Sequence, residues 1–295
     1  DARQSLDAGE PAVAERFLAE LEPLLRDHPA LLADYHLAVG DYRLAVVSPI
    51  QAAAPGLAGQ VVEAYQQARR DGATLDESRR RSLVLGLVAM KRDDAALKEL
   101  DALWPRLSEQ DRSSLQAERL RLVRGWVDRE LNRRPADVAA IQARVEEILA
   151  ANPGVELDAW AVAVDARIRL ERGALDGLAR SLGLAMHRIE GRLEETPHAR
   201  VDWPTLWLLL GHAYRDELSS HQQARECYRT AVDRLQARGL IQVEATRSLA
   251  ELLVERAKGD SQESRRLAAL DEASQRYHQL AEQLPDARPE DVFAA

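Results

Sequence analysis

No stretch of this 295-residue chain sustains the apolar–polar alternation of a strand. Apolar residues instead return every third or fourth position, in runs of roughly 12–20 residues separated by short breaks. That periodicity draws one apolar stripe along each run and points to an all-α fold of many packed amphipathic helices. The apolar content agrees. Hydrophobic residues make up 46% of the chain but aromatic residues only 4%, so Ala and Leu supply most of the core. Both lose little side-chain entropy in a helix, whereas strands favour β-branched and aromatic residues.

The breaks are chemically sensible helix ends. Gly9-Glu10-Pro11 parts residues 2–8 from 12–26, His28-Pro29 precedes the run from Leu31, and Ala54-Pro55-Gly56 closes that run. Asn152-Pro153-Gly154 stops another, because proline cannot continue a helix. Thr74 to Glu77 and Ser220 to Gln223 have the spacing of capping boxes. Gly173, Gly239 and Gly259 stand where chains commonly leave a helix through a left-handed residue. This reading gives about fourteen helices in about seven antiparallel pairs, near residues 1–27, 30–71, 76–106, 111–152, 156–195, 203–238 and 241–284. Helix–loop–helix units of this size, chained end to end, are the mark of an α-solenoid; a long bundle or an irregular helical domain is the alternative.

Charge and composition exclude several functions. Forty basic against forty-nine acidic residues give a net charge of −9, so no basic field for a phosphate backbone exists and nucleic acid is not an expected partner. The run Arg79-Arg80-Arg81 follows Asp76 and Glu77 and reads as a mixed-charge helix face. A lone Cys227 forbids an internal disulfide, and no run of about twenty apolar residues offers a membrane span. Neither observation separates the cytoplasm from a bacterial periplasm. The start at Asp1 and the end just after Pro289 fit an excised piece of a larger protein.

The segment from Trp207 to Ala231 resembles a tetratricopeptide repeat. Trp207, Leu210, Gly211 and Tyr214 follow its first-helix pattern, and Ala224, Tyr228 and Ala231 its second. Gly211 and Ala224 are small where two such helices cross, while Trp207, Tyr214 and Tyr228 fill the space beside them; the turn is one residue longer than the family pattern. Weaker copies appear at Thr246, Leu249, Ala250 and Leu253 with Ala273, Tyr277, Leu280 and Pro285, with about eleven extra residues between the two halves. Leu157, Trp160, Ala161 and Val164 keep the first-helix spacing, as do Ser82, Leu85, Gly86 and Ala89, with Ala96, Leu100 and Leu103 following. Residues 4–29 carry the rhythm without the aromatic positions, and residues 1–71 as a whole read as divergent repeats. The resemblance implies a right-handed superhelical solenoid over residues 1–295, whose first helices line a concave groove for a segment of a partner protein.

By offset from Trp207, the groove would present Thr205, Leu208, His212, Arg215 and Asp216; by the same offset from Thr246, it would present Glu244, Arg247, Glu251, Val254 and Glu255. The second set is acidic and suits a basic partner segment, although an ordinary solvated helix face reads the same way. The carboxylate clamp of chaperone-binding members is not recognisable here. Chemistry of the chain's own is not expected. Cys227 falls on a packed face, the histidines at 28, 36, 187, 198, 212, 221 and 278 show no metal-binding spacing, and no cofactor motif is present. The tryptophans at 104, 126, 160, 203 and 207 read as core more readily than as a binding platform. The expectation is a non-enzymatic protein–protein interaction scaffold or adaptor of a bacterial assembly, secretion or envelope-biogenesis system. The alternatives are a sensor or regulatory domain of a larger protein, such as a transcriptional activator, binding a peptide or small effector, and an enzyme whose pocket is assembled from separate helices. An uncapped solenoid end would also favour a homodimer.

Overall fold

The computed structural model describes residues 11–25, 28–47, 55–235 and 238–283. Among them all regular structure is helical, with thirteen α-helices and no strand. The expected helix at 2–8, the break at 9–10, and the end around Pro285 and Pro289 lie outside the described residues. The chain divides into two compact units, residues 1–136 and 137–295.

The first unit holds α1 (Pro11–Leu25), α2 (Pro29–Val47), α3 (Pro55–Arg70), α4 (Glu77–Ala89), α5 (Asp93–Leu103) and α6 (Glu109–Leu131). Each packs against the next in sequence. Ion pairs also link helices two apart: Asp41 of α2 with Arg79 of α4 at 2.7 Å, Arg69 of α3 with Glu99 of α5, and Arg81 of α4 with Asp111 of α6. Two members of the basic run at 79–81 are therefore held by carboxylates. Asp76, not Thr74, caps α4, accepting the Arg79 amide at 2.9 Å. An aspartate one residue before the helix reaches that amide with its own side chain, so the threonine farther out is not needed.

The second unit holds α7 (Val138–Ala151), α8 (Val155–Glu171), α9 (Leu178–Leu193), α10 (Trp203–Asp216), α11 (His221–Arg229), α12 (Gly239–Gly259) and α13 (Glu263–Gln283). Here too each helix packs on its neighbour, and α10 additionally touches α8 and α12. Helix α11 runs directly into a π-helical turn, Thr230–Arg234, which packs on α10. At the start of α11, Ser220 bonds the side chain of Gln223, leaving the backbone amides uncapped. Gly173 leaves α8 in a left-handed conformation as expected. Gly239 is left-handed too, but it opens α12, and Gly259 is simply its last helical residue. One cap comes from a distance. Both carboxylate oxygens of Glu217, at the end of α10, accept the amides of Gly177 and Ala179 at 2.7 Å and so satisfy the first turn of α9.

The core of α10 and α11 is built on a close approach. A Cβ on Gly211 would lie nearer than 3.0 Å to the ring of Tyr228, which is fully buried. The same device stands in the first unit, where Gly40 of α2 meets the buried ring of Tyr65 of α3. In both places the tyrosine hydroxyl bonds the side chain immediately after the glycine, Asp41 at 3.0 Å and His212 at 2.9 Å. The sequence carries this second copy as well, in Gly40 with Tyr65 and Ala68.

Gly211→Ala is expected to destabilise the second unit by about 1–2 kcal/mol, because overpacking by roughly 1–3 kcal/mol exceeds the helix-propensity gain of about 1 kcal/mol. Gly183→Ala is the control: its Cβ would meet nothing within 4 Å. That change is expected to stabilise by up to about 1 kcal/mol. Urea unfolding followed by circular dichroism measures both.

Candidate functional site

Helix α10 begins at the Asp202 cap with Pro204 in its first turn, and its apolar run buries Leu206, Leu208, Leu209, Leu210 and Ala213. What remains for its outer surface are the polar residues between and after them. Helix α12 sorts in the same way: Ala245, Ser248, Leu249 and Leu252 turn inward, while Glu244, Arg247, Glu251 and Glu255 recur three or four apart on the outside.

The two expected sets meet along this line. His212 stands between them, its Nε2 3.2 Å from Glu244 Oε1 and its Nδ1 2.9 Å from the hydroxyl of Tyr228. The hydrogen bond from His212 holds the Glu244 carboxyl below its ordinary value, with Arg167 of α8 and Arg247 adding positive field. Arg215 donates from Nε to Asp216 at 2.6 Å; this bond, with the nearby Glu251 carboxylate contributing, raises its pKa and keeps it charged. Glu255 stands 3.6 Å from His221. His212, Arg215, Asp216, Glu244, Arg247 and Glu251 therefore form one charge-alternating strip across α10 and α12, with Arg167 of α8 at its border.

Three expected members do not join it. Leu208 is only 2% exposed and sits in the core against Ala224 and Tyr228. Val254 is half-buried against the same cluster. Thr205 lies in the first turn of α10, where its hydroxyl bonds Asp202 at 2.6 Å. Leu208 turns inward because the apolar stripe of α10 is wide, with Leu206, Leu209, Leu210 and Ala213 buried beside it. Below the strip, Thr246 is fully buried and its hydroxyl has no partner. Cys227 is buried in the core between α9 and α10, and burial pushes its thiol up to about 12.

A second feature was not expected from the sequence. Gly183, Met186, His187 and Glu190 recur at i, i+3, i+4 and i+7 on α9 and face Trp203, Trp207 and Leu210, at i, i+4 and i+7 on α10. With Leu235, which follows the π-helical turn, they line an open-sided cleft of about 410 Å³. Trp203 and Trp207 are only half-buried, packing one side on the core and lining the cleft with the rest. Gly183 has neither a left-handed backbone nor a close neighbour. A mid-helix glycine costs about 1 kcal/mol relative to alanine, and here its visible effect is to leave the cleft floor open. The regular spacing on both helices was readable from the sequence; that the two stripes face each other was not.

No protein-family model, curated protein or solved structure matches this chain. Among the described residues, no helix is long and apolar enough to cross a membrane, and no group of three or more His, Cys, Asp or Glu side chains is placed to hold a metal ion.

Two outcomes test this geometry. The depressed pKa of Glu244 means that its contribution to stability is complete above the ordinary value of 4.5 and is lost as pH falls below it. Glu244→Gln is therefore expected to unfold at lower urea than the parent at about pH 7, with the gap closing as the pH falls through the lowered pKa of Glu244. Cys227 is expected to resist a thiol reagent at about pH 8 in the folded protein and to react at once in denaturant, which absorbance of the released chromophore reports.

Proposed function

We propose that the chain is a non-enzymatic protein–protein interaction scaffold, a tetratricopeptide-like α-solenoid that takes a partner segment along the outer strip of α8, α10 and α12. The observation that carries this reading is the junction of His212 with Glu244. It joins the outer faces of two first helices from successive pairs into one surface, as stacked repeats require. The recurrence of the Gly–Tyr approach in both units, and the ion pairs between helices two apart, support the same repeat logic.

His212 with Glu244 and Arg215 with Asp216 are paired within the strip, so a partner would compete for those charges. Such a surface gains specificity and association rate from charge complementarity more than raw affinity. Exposed Glu251 and Glu255, beside the carboxylate of Glu244, favour a basic segment.

The test is capture from cell extract by the parent chain beside the double variant Arg215→Glu, Glu251→Arg. Both are compared with a variant altered on α13, and circular dichroism confirms the fold of each. A protein retained by the parent and the α13 variant but lost by at least about tenfold in the double variant supports the reading, since a mispaired charge costs several kcal/mol. Equal recovery by all three would overturn it.

A further inference from the structure

We propose that the cleft between α9 and α10 is a binding site for a small organic ammonium ion carrying an apolar substituent. The site shares no residue with the charge-alternating strip and stands or falls independently of it.

The lining dictates the chemistry. Seven of its eight residues are uncharged or weakly basic, and two of these are tryptophans one helical turn apart. Tryptophan is the aromatic side chain that attracts a cation most strongly over its face, and quaternary ammonium groups are the ligands such walls recognise best. The chain already uses this attraction internally, where the guanidinium of Arg119 lies 4.5 Å from the ring centre of Trp104. Met186, Leu210 and Leu235 supply apolar contact for a substituent. Glu190 is the only carboxylate in the lining, and its side chain is 76% exposed at the rim. Among the described residues its one ion-pair partner is His187, at 3.9 Å. A cation entering the cleft would meet that carboxylate at the mouth and the indoles inside, and the net charge of −9 favours its approach.

Size and construction agree. The volume of about 410 Å³ lies in the range of small-ligand sites and exceeds what a bare ammonium group fills, which leaves room for the substituent. Gly183 keeps the floor open, and Gly191 continues the same stripe of α9 with nothing within 4 Å of its Cβ position. The π-helical turn that delivers Leu235 to the wall is a rare backbone form found frequently at functional sites.

The experiment uses the full chain in calorimetric titrations with choline, with benzyltrimethylammonium, and with the carbon isostere of choline, in which the ammonium nitrogen is replaced by carbon. The expected result is saturable binding of both cations, tighter for the benzyl compound, with the isostere weaker by about tenfold. Gly183→Leu fills the floor and is expected to abolish binding while the melting temperature holds or rises, so loss of fold cannot mimic the result. Glu190→Gln is expected to weaken the cations several-fold and leave the isostere unchanged. Binding of the isostere as tight as choline, binding that survives Gly183→Leu, or no binding of either cation would overturn the proposal. A trimethyllysine peptide forms the last arm. If it binds at least tenfold tighter than both small cations, the ammonium belongs to a protein tail and the small-molecule source is wrong.

Discussion

The architecture of both units depends on one contact, the ring of a tyrosine laid against the bare backbone of a glycine on the preceding helix. Gly211 with Tyr228, and Gly40 with Tyr65, leave no space for a methyl group between the two helices. Because the ring is fully buried and its hydroxyl is spent on the neighbouring side chain, the contact fixes the helix separation and the rotation of each helix about its axis together. Rotation decides which residues face outward. His212 reaches Glu244 because the hydroxyl of Tyr228 already holds its other nitrogen, so the polar strip is a consequence of core packing as much as of surface composition.

Much of the fold was legible because helical periodicity is local. Ala/Leu stripes, prolines and glycines at the breaks, and the spacing around Trp207 to Ala231 needed no knowledge of distant residues. Capping was legible only by type. A hydroxyl three residues before Glu77 looked sufficient, yet the nearer carboxylate of Asp76 took the amide. Exposure was legible where it followed from one helix alone, as for Glu244 and Glu251. Leu208 failed because α10 is covered on several sides at once by α8, α9, α11 and α12, a property of its neighbours and not of its own sequence. The same limit hid the cleft. Trp203 and Trp207 look like core from spacing and hydrophobicity, and partly they are. Both also line a cleft shared with Gly183, which lies on a different helix.

The two surfaces of the second unit differ in what they can recognise. The strip on α10 and α12 is polar and partly exposed, with His212–Glu244 and Arg215–Asp216 paired within it. The cleft between α9 and α10 is concave, largely apolar and carries one carboxylate at its rim, suited to a small cationic body. Helix α10 serves both, with Trp203, Trp207 and Leu210 along one side and His212 and Arg215 along another. Any shift of α10 that accommodates a ligand in the cleft would be felt at the strip, because Gly211 lies between the two sets and its packing against Tyr228 permits little independent movement.

The reach of Glu217 back to the first turn of α9 alters how this unit can come apart. A repeat array in which each pair touches only its neighbours through apolar faces can fray one pair at a time. Here the start of α9 has its amides closed by a residue that is positioned only when α10 is complete, about forty residues later in the chain. Opening α10 would uncap α9, and α9 could not be fully formed while the chain was still emerging and Glu217 had yet to appear. The first turn of α9 is therefore closed only once α10 has emerged, ahead of Leu235, which completes the cleft.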